Sequence, residues 1–244
     1  MAVNNSLRTQ PQQTINDRAV EYKCGEEIVK ISPAIIRKYL VNGNGNVTDQ
    51  EVVMFLNLCR FQHLNPFLRE AYLIKFGSKP ATIVTGKDAI TKRAMRNPKF
   101  CGQQAGVVIF HNESGELEYR NGSLLMAGEQ LVGGWAKVYV KGYEVPIEAA
   151  VSYQEYVGLT NEGAVNSQWQ KKPATMIRKV ALVQALREAF PEDLGGLYAS
   201  EEMNIDLDET ATAAPVEIPQ EDAPVEIVDQ PEPQPGPMEE LQGF

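Results

Sequence analysis

The sequence predicts an α+β fold, in which helices flank a mainly antiparallel sheet instead of alternating with its strands. Two observations carry this. Between residues 71 and 152, β-prone segments crowd together: AYLIKF at 71–76, ATIVT at 81–85, GVVIFH at 106–111, WAKVYVKGY at 135–143 and EVPIEAAVS at 144–152. After them comes one long helical stretch, Trp169 to Phe190, with Pro173 where the first helical position belongs and no further Gly or Pro.

The elements follow in order. Residues 1–20 are polar, rich in Asn and Gln, and read as a flexible lead-in. Tyr22 to Ile31 reads as a short strand, Pro33 to Val41 as a short helix, and NGNGN at 42–46 as a turn. Thr48 caps the next helix, and Glu51 three residues later completes a capping box. That helix, Asp49 to Gln62, points Val52, Val53, Leu56 and Cys59 at a core and ends before Leu64-Asn65-Pro66. The segments at 71–76 and 81–85 form a hairpin around GSKP, and a basic helix runs from Lys87 to Arg96. In the strand after Trp135, Ala136, Val138 and Val140 alternate with Lys137, Tyr139 and Lys141.

The long helix is apolar on most sides. Met176, Val180, Val183 and Phe190 form one stripe, and Ile177, Ala181, Leu182 and Leu186 cover other sides, so it is expected to be buried. Arg178, Lys179 and Arg187 interrupt it. Burying such charges alone costs several kcal/mol, on the order of the penalty for an unpaired ion. Carboxylates or an anionic ligand must meet them, unless Arg178 and Lys179 form a narrow solvated face.

Composition divides the chain. Residues 201–244 hold 13 of the 32 acids and no Lys or Arg, leaving 19 acids against 23 basic residues before them, a net of +4. From about Asn204 the chain carries seven of its fifteen prolines and one aromatic, and reads as a disordered acidic tail. The expected domains are therefore a lead-in (1–20), a folded body (21–203) and a tail (204–244). Three scattered cysteines and two histidines exclude a disulfide framework and argue against structural zinc. No apolar run approaches a membrane span, and the default location is cytoplasmic.

Little in the sequence suggests catalysis. Gly86-Lys87-Asp88 lacks the upstream glycine and the Ser/Thr of a Walker loop, and no G-x-S-x-G occurs. Neither a cofactor nor a metal is expected. The competing enzyme reading is a metal-dependent nuclease using Asp88 with Glu192 or Asp193. The positive signal is cations interleaved with aromatics. Arg69 and Tyr72 flank the first hairpin strand, Lys87, Lys92, Arg93 and Arg96 follow the second, Lys137, Tyr139 and Lys141 share a strand face, and Trp169, Lys171 and Lys172 lead into the long helix. Binding single-stranded DNA without reading its sequence needs this mixture of charge and flat surface; core packing is the competing role for Tyr72 and Trp169.

Several motifs occur together in a recognisable order: Leu64-Asn65-Pro66-Phe67, Arg69-Glu70-Ala71-Tyr72, Ile83-Val84-Thr85-Gly86-Lys87-Asp88, Lys137-Val138-Tyr139 with Lys141 and Pro146, and Trp169-Gln170 with Pro173, Met176, Arg178, Ala181, Gln184, Arg187, Ala189 and Phe190. Gly196-Leu197-Tyr198 and the acids behind it close the series. Over roughly residues 35–202 the sequence resembles the phage single-strand annealing proteins of the Redβ (Bet) and RecT group, and is closest to the Redβ branch. The resemblance implies a non-enzymatic protein of DNA recombination. Such proteins coat single-stranded DNA left by a 5′–3′ exonuclease and anneal it to a complementary strand, as rings or helical filaments. It also implies a compact core whose long central helix lines a DNA-binding groove, a phage or prophage origin in a bacterial host, and a host single-strand-binding protein as partner. The implied interface is Arg69, Lys87, Lys92, Arg93, Lys137, Lys141, Trp169, Lys171, Lys172, Arg178, Lys179 and Arg187, with phosphates as counter-charges for the last three. Two departures stand out. Ala174 and Thr175 replace basic residues of the lambda member, which moves the groove's charge to Lys171 and Lys172, and no folded C-terminal domain of the lambda type follows.

Overall fold

In a computed structural model, residues 19–160 and 162–203 are described. The chain divides into two units, Met1–Ala214 and Pro215–Phe244, the second wholly outside the described residues, as are residues 1–18 of the expected lead-in and the whole expected tail; Val20, expected in the lead-in, begins the first strand.

The first unit is α+β. A hairpin of β1 (Val20–Cys24) and β2 (Glu27–Ile31) opens it. This segment is read from sequence as one strand, but Gly25 takes a φ of +65° and turns the chain back. The expected helix after Ser32 is one turn, α1 (Pro33–Ile35), continuing as a π-helical turn over Ile36–Leu40. Strand β3 (Val41–Asn42) then joins β4 (Ala71–Ile74) in parallel, and β4 pairs antiparallel with β5 (Thr82–Thr85) in the predicted hairpin.

Between β3 and β4 lies α2 (Asp49–Phe61), closed by the predicted capping box: the Glu51 N–H donates to Thr48 Oγ1 at 3.3 Å, and the Thr48 N–H donates to Glu51 Oε2 at 2.8 Å. Its inward stripe is Val52, Phe55, Leu56 and Cys59. Val53, expected in the core, is 42% exposed, because the 3.6-residue period places Phe55 on that face instead. Burial pushes the Cys59 thiol up to about 12, leaving it protonated.

Glu51 also joins α2 to the β4–β5 hairpin. Its Oε1 accepts from Lys75 Nζ at 2.7 Å and from the Ala81 N–H at 2.7 Å. The bond from Lys75, then those from the Thr48 and Ala81 amides, hold the carboxyl down at about 2. A carboxyl depressed by folding stabilises the native state above its unfolded value and loses that contribution as pH falls through the folded one. The Glu51→Gln variant is therefore expected to be less stable at pH 7 and to lose less stability than the parent between pH ~4.3 and about 2. Urea midpoints at pH 7, 4 and 2.5 check this, and parallel declines would refute it.

The main sheet follows α3 (Lys87–Arg96), with spatial order β7 (Glu116–Asn121), β6 (Phe100–His111), β8 (Gln130–Val140), β9 (Ile147–Ser152), all antiparallel. Short helices α4 (Tyr153–Tyr156) and α5 (Ser167–Lys171) lead to the long helix α6 (Pro173–Ala189), and α7 (Pro191–Leu194) follows. Helix α6 packs against β6, β8 and β9 and touches α3, α5 and α7. Nine of its 17 residues are buried, as its all-round apolarity predicts. Each large aliphatic chain so buried stabilises the fold by roughly 1.5–3 kcal/mol. The packing is close: a Cβ on Gly134 would stand 2.5 Å from the Ile177 carbonyl oxygen, so β8 passes α6 here only as glycine. Among the described residues no helix is long and apolar enough to cross a membrane.

Candidate nucleic-acid interface

The three cations interrupting α6 find their partners within the chain. Arg178 Nε donates to the Ala105 carbonyl at 3.1 Å. Lys179 Nζ lies 2.7 Å from Glu201 Oε1. Arg187 makes a two-pronged pair with Glu202, at 2.6 and 3.0 Å, donates to the Leu197 carbonyl at 3.2 Å, and stacks 4.6 Å from the Tyr198 ring centre. The Glu201 and Glu202 side chains are 8% and 6% exposed. The segment after α7 thus returns to α6 and carries both carboxylates, tied down by the Thr85 N–H donating to the Tyr198 carbonyl at 2.8 Å. Of the two alternatives the sequence leaves open for Lys179 and Arg187, carboxylates or an anionic ligand, the structure provides carboxylates, in place of the phosphates that the resemblance implies. The correct signal was present as Glu201-Glu202, but 22 and 15 residues from their partners.

Trp169 is also reassigned. It is 1% exposed, packs edge-on to Tyr153 with ring centres 5.8 Å apart, and offers no face to a base. The Asn166 side chain caps α5 by accepting from the Trp169 N–H at 3.1 Å. The buried indole anchors the end of α5, and two residues later Lys171 and Lys172 emerge exposed, without a carboxylate partner among the described residues. They stand at the N-terminus of α6, whose first turn contains no acid. The partial positive charge of that helix end adds to theirs and favours an anion.

The other predicted cations lie elsewhere. Lys137 and Tyr139 alternate with Ala136 and Val138, which are buried in the core shared with α6, so they occupy the outer face of the sheet. Lys137 pairs across the strands with Glu148 at 2.7 Å, and Tyr139 donates its hydroxyl to Gln104 at 3.2 Å. Lys141 is exposed beside Lys99, whose carbonyl accepts its N–H at 2.8 Å. The Phe100 and Phe190 rings, 6.2 Å apart, put this edge at the C-terminal end of α6. A 17-residue helix is about 25 Å long, so Lys141 and Lys171 mark opposite ends of the body.

On α3, Lys87 pairs with Asp88 at 2.6 Å, Lys92 with Glu70 at 2.9 Å, and Arg93 donates to the Gln62 carbonyl. Arg69 is exposed, held at a φ of +59° before β4. The twelve predicted residues therefore do not form one groove. Lys171 and Lys172 are open cations at one end of α6, Arg69 and Lys87 flank the start of α3, Lys92 and Arg93 belong to a cleft, Lys179 and Arg187 are in ion pairs, and Arg178 bonds to a backbone carbonyl.

The nuclease residues do not converge. Asp88 begins α3, while Asp193 accepts from Asn97 at 2.6 Å at the other end of that helix, about 15 Å away. Among the described residues no three His, Cys, Asp or Glu side chains gather as a metal would require.

A model of the RecT family matches residues 26–216, from the β1–β2 turn to beyond Glu202. The chain belongs to the RecT family. An uncharacterized protein of Ureaplasma parvum serovar 3 is 30% identical over 149 residues, covering 61% of this chain and 55% of that protein. The chain therefore spans about half the length of this curated relative. The RecT match takes in every element from β2 to α7, so the return segment with Glu201 and Glu202 lies within the family's span.

Proposed function

We propose that this RecT family chain is a single-stranded DNA annealing protein of recombination, closest to the Redβ branch, acting as an oligomeric ring or helical filament. It coats one strand and pairs it with a complementary strand without ATP and without a chemical step. Base pairing supplies sequence specificity, and the protein supplies charge that lets two phosphate backbones approach. In this reading it is phage- or prophage-encoded, works in the bacterial cytoplasm, takes its substrate from a 5′–3′ exonuclease, and meets the host's single-strand-binding protein.

The observation carrying this reading is the family match over residues 26–216. Lys171 and Lys172 support it, as exposed cations at the positive end of a long helix, held on a buried tryptophan. The nuclease reading has no comparable support, since Asp88 and Asp193 sit at opposite ends of α3. The test is to add two complementary labelled oligonucleotides in turn to the purified protein, with Mg²⁺ and no ATP. Annealed, full-length strands are expected; shortened strands would favour the nuclease.

A further inference from the structure

We propose that a second phosphate-binding site lies in the cleft between the β1–β2 turn, the end of α2 and the exposed side of α3, and that it takes the backbone of single-stranded nucleic acid. The inference rests on the annealing reading and adds to it a second place of contact on each protomer.

The cleft measures about 480 Å³ and is lined by Lys23, His63, Lys92, Arg93 and Arg96, with Glu70 and Asp193 as its acids. Counting these Lys, Arg, Asp and Glu side chains, four cations face two carboxylates, and the carboxylates are already engaged. Glu70 takes Lys92 at 2.9 Å and the Asn65 N–H at 2.8 Å, and Asp193 takes the Asn97 amide at 2.6 Å. Arg93 spends one N–H on the Gln62 carbonyl. Lys23 and Arg96 have no carboxylate partner among the described residues.

The fold concentrates this charge. Lys92 and Arg96 are four apart on α3, and Arg93 and Arg96 three apart, spacings at which like charges destabilise a helix. The Arg96 guanidinium also crosses to the hairpin turn, where a Cβ on Gly25 would stand 3.5 Å from its Nη2. His63, at a φ of +48°, donates from Nδ1 to the Lys23 carbonyl at 2.7 Å and fixes the hairpin across the cleft. Two elements distant in sequence are thus held with their cations facing each other and no internal counter-charge for Lys23 and Arg96.

The Lys and Arg side chains lining the cleft suit the backbone of a nucleic acid, whose phosphates are met by such cations along a groove. Asp193 places the cleft at the α7 end of α6. Lys171 and Lys172 lie at the other end, about 25 Å away along the helix. A strand on those lysines does not fill the cleft by local contact.

The test uses the full chain carrying Lys23→Gln with Arg96→Gln, and an unstructured fluorescent oligothymidylate titrated by anisotropy from 50 to 300 mM NaCl. The slope of log affinity against log salt is expected to fall by about 1.4, about 0.7 for each lost phosphate contact on a single strand. Lys23→Arg with Arg96→Lys keeps the charge and is expected to retain the parental slope. Thermal unfolding of both variants separates charge loss from misfolding. An unchanged slope in a variant still weakened by Lys171→Ala and Lys172→Ala would overturn the cleft and leave the annealing reading standing. Tighter binding would mean that the cleft holds an acidic protein segment, and would also overturn it. A parent that binds no oligothymidylate would remove both readings.

Discussion

Arg187→Ala is expected to destabilise the folded unit by about 3–5 kcal/mol, the usual result of removing one partner from a buried ion pair. The Glu202 carboxylate, 6% exposed, would lose both guanidinium bonds and keep only the Ala199 N–H at 2.9 Å. The Leu197 carbonyl and the Tyr198 ring would lose their contacts as well. For a unit of this size the loss corresponds to a fall in Tm on the order of 10 °C, measurable by calorimetry or urea unfolding. Arg187→Met with Glu202→Leu removes both charges and is expected to recover most of the loss, because two apolar side chains replace the pair without stranding an ion. Parental stability in Arg187→Ala, with DNA binding abolished, would instead identify Arg187 as a phosphate contact.

The second large effect concerns Lys171→Ala with Lys172→Ala. Neither lysine has a carboxylate to leave stranded among the described residues, so Tm should stay near that of the parent. If each contacts one phosphate, the salt slope falls by about 1.4. That predicts single-strand binding weaker by about 60-fold at 50 mM salt and about 10-fold at 200 mM. Anisotropy titrations at both concentrations check the size and the trend together. Trp169→Ala offers a contrast. Emptying a buried tryptophan site costs about 3–5 kcal/mol and affects DNA binding only through the support it removes from the two lysines.

How much was legible in the sequence follows the range of the interactions. The Thr48–Glu51 box, the hairpin around GSKP and the burial of α6 are written within a few neighbouring residues, and each was readable there. Strand β7 was not. ELEYRN is the sheet's edge strand, and its alternation misleads: Leu117 and Tyr119 are exposed, while Arg120 on the other face pairs with Glu118 and Glu129 at 2.8 and 2.7 Å. The first half of β6, FCGQQA, was missed for lack of alternation.

The interface was partly readable. Residue type correctly marked where cations stand, but not what compensates them. For Lys179 and Arg187 the sequence leaves carboxylates and an anionic ligand both open, because Glu201 and Glu202 reach them only after the chain passes through α7 and returns. Lys23 carried no signal at all, since it joins Arg96 only through the packing of the hairpin against α3.

The most direct test of the central claim is annealing itself. One donor-labelled strand is bound by the protein, then a complementary acceptor-labelled strand is added, at low salt with Mg²⁺ and without ATP, beside a non-complementary control. The account predicts energy transfer faster than spontaneous pairing, only for the complement, with both strands intact and held in a large, slowly dissociating complex. Pairing no faster than in the absence of protein, despite tight binding of the first strand, would contradict it and leave a RecT family chain that binds DNA without annealing it.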